Sequence, residues 1–367
     1  MEFYYIIYFG LLPFIILDFK SNSFVTKRQV LLILSVFYSI IGGFGDWTGT
    51  DWTSYKYVFD HITWHEVVHP FKDSQEQGFL LLNWIFLHLT GGKFTIFMFC
   101  ATLFYFVSFS RLFLKYTQYP IIIFAIFFFS GNQICIIRNR IAISILIWAI
   151  PCIFDRKFWK FIIICLLAIS IHRSAAIFLL TYFFRYIPVN YILCNVLFLS
   201  TITLGYVFRD IFLSIGMSLG GTISDKISYY ADEQSIEVSK SIISVFMNFI
   251  VLNCLILYKN KLSKGNKDQI FKNSYMNIFI YSYLLITSLD TIFLGIYADF
   301  ARLGTILTPL FFLSWNYVIC LFDKYYHHIF KVFCIVLIIY ISQKFFMLDY
   351  FRPEYHNLYV PYSMIFV

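Results

Sequence analysis

Residues 120–151 read PIIIFAIFFFSGNQICIIRNRIAISILIWAIP, an almost wholly apolar stretch with Arg138-Asn139-Arg140 inside it. A spanning helix needs about 20 mainly apolar residues, with about 17 to 25 usable. The stretch is therefore long enough for more than one apolar element, and its arginines fall between them. A centrally placed Arg costs about 2.5 to 3.5 kcal/mol on insertion scales, so such residues usually line a protein interior or a watery cavity. An arginine pair at a helix end, snorkelling to a headgroup, also fits.

Outward from this stretch, comparable runs recur near 3–17, 30–45, 94–110, 119–137, 141–154, 160–171, 174–187, 191–208, 241–258, 275–294, 303–322 and 332–348. Several are too short to cross alone, and the piece from Gly78 to Leu89 has about half the required length. The expectation is an all-α polytopic membrane protein with about 11 to 13 transmembrane or re-entrant helices. Composition agrees: 60% of the residues are hydrophobic and 13% charged, a balance that a soluble domain reverses. The 46 Phe and 28 Tyr accompany abundant Ile, Lys and Asn, all with A/T-rich codons, so the aromatic excess says nothing about function.

The net charge of +8 comes from short basic clusters between apolar runs rather than a continuous stripe, which excludes a nucleic-acid partner. The clusters read as topology signals. Lys20, Lys27 and Arg28, then Arg156, Lys157 and Lys160, then Lys259, Lys261, Lys264, Lys267 and Lys272 are expected inside. The acidic segments 46–77 and 209–240 then become outer loops. Parity requires 78–90 to be re-entrant or interfacial, and Arg138, His172, Arg302 and the C-terminal tail then share the outer side. The first apolar run starts at Phe3 without a basic segment before it, and reads as a retained span. Eight cysteines lie singly within apolar runs, as free buried thiols do. With no internal repeat and no linker, residues 1–367 read as a single domain.

Four places carry chemistry. Gly49-Thr50-Asp51-Trp52-Thr53-Ser54-Tyr55, followed by Glu76-Gln77-Gly78-Phe79, combines carboxylates with aromatic rings. Rings stack on a pyranose face while carboxylates accept from its hydroxyls; an interfacial Trp and Tyr belt uses the same residues. Arg138 and Arg140 offer planar donor forks suited to phosphate. His172-Arg173-Ser174 follows an apolar run, so its imidazole sits at a membrane boundary, as a base, a phosphate donor or a structural group. Arg302 lies three residues after Asp299 and could be half of a salt bridge. Walker loops, dinucleotide fingerprints, nucleophile elbows and zinc-helix motifs are missing from the sequence. The chain thus carries no energy source or soluble cofactor of its own.

Taken in order, these pieces resemble the EpsG family of Wzy-type polymerases. The resemblance rests on Gly49, Asp51 and Tyr55; Glu76-Gln77-Gly78-Phe79; Arg138 with Ile141-Ala142; His172 with Ser174-Ala175; Tyr229-Tyr230; Arg302 before Pro309; and Pro361-Tyr362. Asn139 departs from it where Gln is expected after the arginine, which leaves Arg140 a weaker match than Arg138. The resemblance implies a GT-C-like helical fold in a bacterial inner membrane. It also implies a glycosyltransferase that joins undecaprenyl-diphosphate-linked oligosaccharide units on the outer face, as an O-antigen polymerase does. No cofactor, metal or nucleotide sugar is required by that chemistry, and a chain-length regulator is a further possible partner. On this reading Arg138 and Arg302 meet the pyrophosphate, and His172, Asp51 or Glu76 supplies the base. Arg140, Tyr55, Arg173, Tyr229, Tyr230 and Tyr362 bind substrate.

Three other activities compete. A GT-C glycosyltransferase taking one sugar from a polyprenyl phosphate would use Asp46 and Asp51 as its acidic pair. A lipid-linked oligosaccharide flippase favours an even array of full spans, which the broken runs do not provide. A membrane acyltransferase would place its acyl donor inside, against the outer placement of His172.

Overall fold

The computed structural model describes residues 10–11, 13–19, 23–44, 51–70, 75–129, 137–207, 211, 214, 218, 238–263, 267–293 and 302–325. These residues are helical with no strand among them, and five helices are long and apolar enough to cross a membrane. The chain is a polytopic all-α membrane protein. It divides into two compact units, Met1–Ala176 with Phe322–Val367, and Ile177–Leu321.

In the first unit, α1 (Phe24–Phe44) packs along α5 (Phe94–Tyr116). Lipid gives helices little hydrophobic reason to associate, so small residues that let backbones approach do much of the work. A Cβ at Gly43 would fall 2.4 Å from the Cα of Phe99, and so only glycine permits this approach. One face lower, the Ser35 and Ser110 hydroxyls share a 2.7 Å hydrogen bond. Short α6 (Pro120–Phe129) is apolar on every side and buried, with Phe128 stacked 3.9 Å from Tyr38 of α1. Proline at its start removes one N–H, and the Ile122 N–H is accepted by the buried Asp18 carboxylate at 2.7 Å. Asp18 is neutralised by Lys27 at 3.0 Å.

The expected helix over 141–154 begins at Ile137 among the described residues and breaks, giving α7 (Ile137–Ile147) and α8 (Ile150–Phe154). Pro151 accounts for the break: it cannot donate to Ile147, and its ring clashes with that carbonyl. A tight turn through Asp155 and Arg156, the latter in the left-handed region, reverses the chain into α9 (Phe158–Ile171). Between α1 and α5 lie α2 (Trp52–His61), α3 (Trp64–Val68) and α4 (Gln77–Thr90). With 14 residues at about 1.5 Å each, α4 reaches about 21 Å, short of the roughly 30 Å of hydrocarbon.

After α9 the chain does not form the expected α-helix over 174–187. It forms 3₁₀ helices, Arg173–Tyr182 and Phe184–Tyr186, a longer run of that geometry than the usual three or four residues. The second unit continues with α10 (Tyr191–Val207), α11 (Val238–Ser263), α12 (Lys267–Phe293), a 3₁₀ turn Arg302–Leu307, and α13 (Thr308–Tyr325) to Leu321. Buried amides join it: Asn195 and Asn253 exchange hydrogen bonds at 3.3 and 3.0 Å between α10 and α11. Lys259 donates to Asn277 at 2.7 Å between α11 and α12. The expected spans 3–17 and 332–348 lie wholly or mostly outside the described residues, as does nearly all of the 209–240 loop.

Candidate active site

The segment ahead of α4 is held by its own small core. Thr63 and Glu66 cap α3 reciprocally, with the Glu66 N–H reaching the Thr63 hydroxyl and the Thr63 N–H reaching the Glu66 carboxylate. Ile62, Val67 and Leu80 pack together with Trp84 against them, and the Gln77 amide donates to the Val67 carbonyl at 3.1 Å. These contacts fix where α4 begins. Its second residue is Gly78, whose ideal Cβ would lie 2.4 Å from Ser170 Oγ and 2.7 Å from the Ser170 carbonyl oxygen. Any side chain there would force α4 off α9, so the glycine brings the start of one helix against the end of the other.

The result is that Glu76, just before α4, lands beside His172, just after α9. Glu76 does not cap its own helix with its side chain. Its Oε2 accepts from Arg138 Nη1 at 2.8 Å, and its Oε1 accepts from the Arg173 backbone N–H at 3.0 Å. The His172 Nδ1 stands 3.4 Å from the same Oε1, long for a hydrogen bond. Arg138 also reaches Tyr55, with Nε 3.5 Å from the phenol oxygen and the guanidinium carbon 5.7 Å from the ring centroid. Tyr55 is buried and set edge-on to Phe79 at 5.8 Å.

Electrostatics follow from this packing. Burial alone raises the Glu76 carboxyl, but His172, the Arg173 N–H and the Arg138 charge outweigh it and bring it from 4.5 down to about 2. Burial pushes the Tyr55 phenol up, opposed by the Arg138 charge. A carboxylate held that low is a weak proton acceptor. Its work is to hold an arginine and an imidazole in fixed places while both keep part of their side chains accessible, 26% and 23% respectively.

Of the residues singled out in the sequence, the structure brings together Glu76, Arg138, His172, Tyr55 and the backbone of Arg173. Asp51 stands at the start of α2, its carbonyl accepting from the Tyr55 N–H at 3.0 Å. Arg140 is buried on α7 and turns to the ring of Tyr105 on α5, 5.7 Å from its centroid, away from the Glu76 cluster. Arg302 opens its 3₁₀ turn in the second unit, with its side chain outside what the structure describes. Tyr229, Tyr230, Tyr362 and Asp299 lie outside the described residues. The sequence reading missed what Gly78 does and missed Ser170, its contact. Ser174, which the sequence reading named only as part of the His172 stretch, has a buried hydroxyl without a hydrogen-bond partner among the described residues, two positions from His172.

Arg138 is the second residue of a candidate span, Ile137–Phe154, so the cluster occupies the end of a membrane-crossing helix. The fold and site together define a multi-pass integral membrane protein with a polar cluster at the end of one span. The chain belongs to the EpsG family, whose model matches residues 29–364, and that family is one of Wzy-type polysaccharide polymerases. No curated protein and no solved structure matches it.

Proposed function

We propose that this protein is a glycan polymerase that joins oligosaccharide units carried on undecaprenyl diphosphate, at the outer face of a bacterial inner membrane. The observation that carries the reading is the convergence of Arg138 and His172 on Glu76 at the end of a membrane span. The family supports polymerisation of polysaccharide. The lipid diphosphate, the outer face and the independence from metal and nucleotide sugar are this reading's own additions. Residues 1–367 act in it as one polymerase domain with a GT-C-like arrangement.

In the reaction, the bond between the donor sugar's anomeric carbon and the pyrophosphate oxygen breaks, and a new bond forms from that carbon to an acceptor hydroxyl. The leaving diphosphate gains negative charge, and a preorganised arginine offers two parallel donors to it in a site of low dielectric. Arg138 takes that role, and Arg302 remains a candidate for a second contact to the diphosphate. The acceptor hydroxyl loses its proton to a base. With Nδ1 facing the Glu76 carboxylate, the His172 ring carries its proton there and leaves Nε2 as acceptor, the arrangement in which an acidic group orients a catalytic histidine. Glu76 is then the orienting residue, while Asp51 and Tyr55 line the acceptor side. Arg140, Arg173, Tyr229, Tyr230 and Tyr362 remain substrate-contact candidates.

Loss of the gene tests the reading in cells. Without a polymerase, surface glycan carries a single repeat unit in place of a ladder of lengths. Without a flippase, completed units accumulate on the inner side; without a single-sugar transferase, the unit itself is truncated. A truncated unit from the deletion strain would overturn the proposal. Topology gives a second check: a probe cysteine at Ser54 is expected to react in intact cells and one at Ser263 to be protected, and the reverse pattern would reject the outer placement.

A further inference from the structure

Arg111 has no role in the site just described. It lies on α5 five residues before Tyr116, about 7 to 8 Å inside the end of a candidate span. Its guanidinium carbon sits 3.8 Å above the ring of Trp148, at the break between α7 and α8. Both side chains are exposed, Trp148 at 45%. Among the described residues Arg111 makes no hydrogen bond and no ion pair, and its side chain is exposed.

The surroundings are those of a lipid-facing surface. Phe104, two turns earlier on the same face of α5, is exposed at 39%. Tyr116 and Phe154 meet at 5.3 Å one turn or so beyond the stack, as rings do at a bilayer boundary. Lys115, exposed and one turn from Arg111, adds a second charge, with its ammonium 5.1 Å over the Tyr116 ring. Nearby Lys157 is already paired with Asp155 at 3.0 Å. This end of α5 and α7 is the one away from Arg138, since Trp148 lies ten residues, about 15 Å, further along the chain.

We propose that Arg111 and Trp148 form a headgroup site for an anionic phospholipid, in the leaflet away from the Glu76 cluster. Stacking on Trp occupies only the face of the guanidinium, which leaves the in-plane N–H groups free to meet phosphate oxygens in two-point contact. Trp148 holds the fork in plane, and Lys115 favours headgroups with net negative charge over zwitterionic ones. The level of the stack, inside the aromatic boundary and on the same helix face as the exposed Phe104, selects a phosphate attached to acyl chains over one free in solution. The inference is independent of what the enzyme polymerises.

The test is native mass spectrometry of the full-length protein released from nanodiscs of phosphatidylglycerol or phosphatidylcholine. Wild-type protein is expected to retain phosphatidylglycerol preferentially, and Arg111→Gln to lose about tenfold of that preference. Arg111→Lys keeps part of it, and Trp148→Leu, which leaves every charge in place, weakens it. If the Arg111 variants fail to accumulate, the wild-type comparison of the two lipids and the Trp148→Leu protein still decide. Equal retention of both lipids by wild type, or unchanged preference in Arg111→Gln, would overturn the site. Displacement of the bound lipid by millimolar inorganic phosphate would reassign it to a soluble anion and overturn the lipid assignment.

Discussion

Replacing Glu76 with Gln removes one negative charge and leaves the shape of the side chain almost unchanged, so the effect isolates what that charge does. Holding the carboxyl at about 2 instead of 4.5 corresponds to about 3 kcal/mol, at about 1.4 kcal/mol per tenfold change in ionisation. Arg138 keeps about a quarter of its side chain in solvent, which screens the pair and reduces the expected cost to about 2 to 3 kcal/mol. Because the folded protein depresses this carboxyl, its contribution is complete above pH 4.5 and disappears as pH falls towards 2. Wild-type protein in detergent, followed by tryptophan fluorescence during heating, should lose melting temperature steadily across that window. Glu76→Gln should melt several degrees lower at neutral pH and show a flatter profile between pH 4.5 and 2. Identical melting curves and pH slopes for the two proteins would show that the Glu76 charge does not hold Arg138 and His172 in place, and the orienting role of this residue would fall with it.

Arg138→Lys should reach the membrane in normal amounts and lose most polymer formation, since a point charge cannot reproduce the two-point fork; a normal glycan ladder would remove Arg138 from the site. Gly78→Ala, which sets a methyl group 2.4 Å from Ser170 Oγ, should cost about 1 to 3 kcal/mol and polymer together, by moving Glu76 away from His172; full activity would contradict the helix contact. Asp18→Ala takes away the charge partner of Lys27, leaving it only the Gln118 carbonyl at 3.3 Å, together with the acceptor of the Ile122 N–H, and should destabilise by about 3 kcal/mol, whereas adding Lys27→Met should recover part of the loss, as a thermal melt of the double mutant would reveal.

The membrane fold was legible because long apolar runs have few other uses, and the helices over Phe24–Phe44, Phe94–Tyr116 and Tyr191–Val207 follow the expected runs. Where the expectation failed, local backbone chemistry decided. Pro151 split one helix, and the chain after His172 tightened into 3₁₀ geometry, neither of which hydropathy registers. In the site, residue type singled out Glu76, Arg138, His172 and Tyr55, and the structure places these four together. Their meeting could not be read, because it depends on contacts across 62 and 97 positions of chain. Gly78 shows why: its importance comes from Ser170, far away in sequence, and not from any preference of its own segment. Arg140, two residues from Arg138, turns to a different helix, a distinction set by helical angle rather than by motif.

The central claim is that the lipid diphosphate bond alone drives chain growth. Purified protein mixed with repeat units on undecaprenyl diphosphate, with chelator present and no nucleotide sugar or ATP, should produce a ladder of lengths. One free undecaprenyl diphosphate should be released for each bond formed, and His172→Ala should stop both. Growth that requires a nucleotide sugar or a divalent metal, or a ladder made at the normal rate by His172→Ala, would contradict the account.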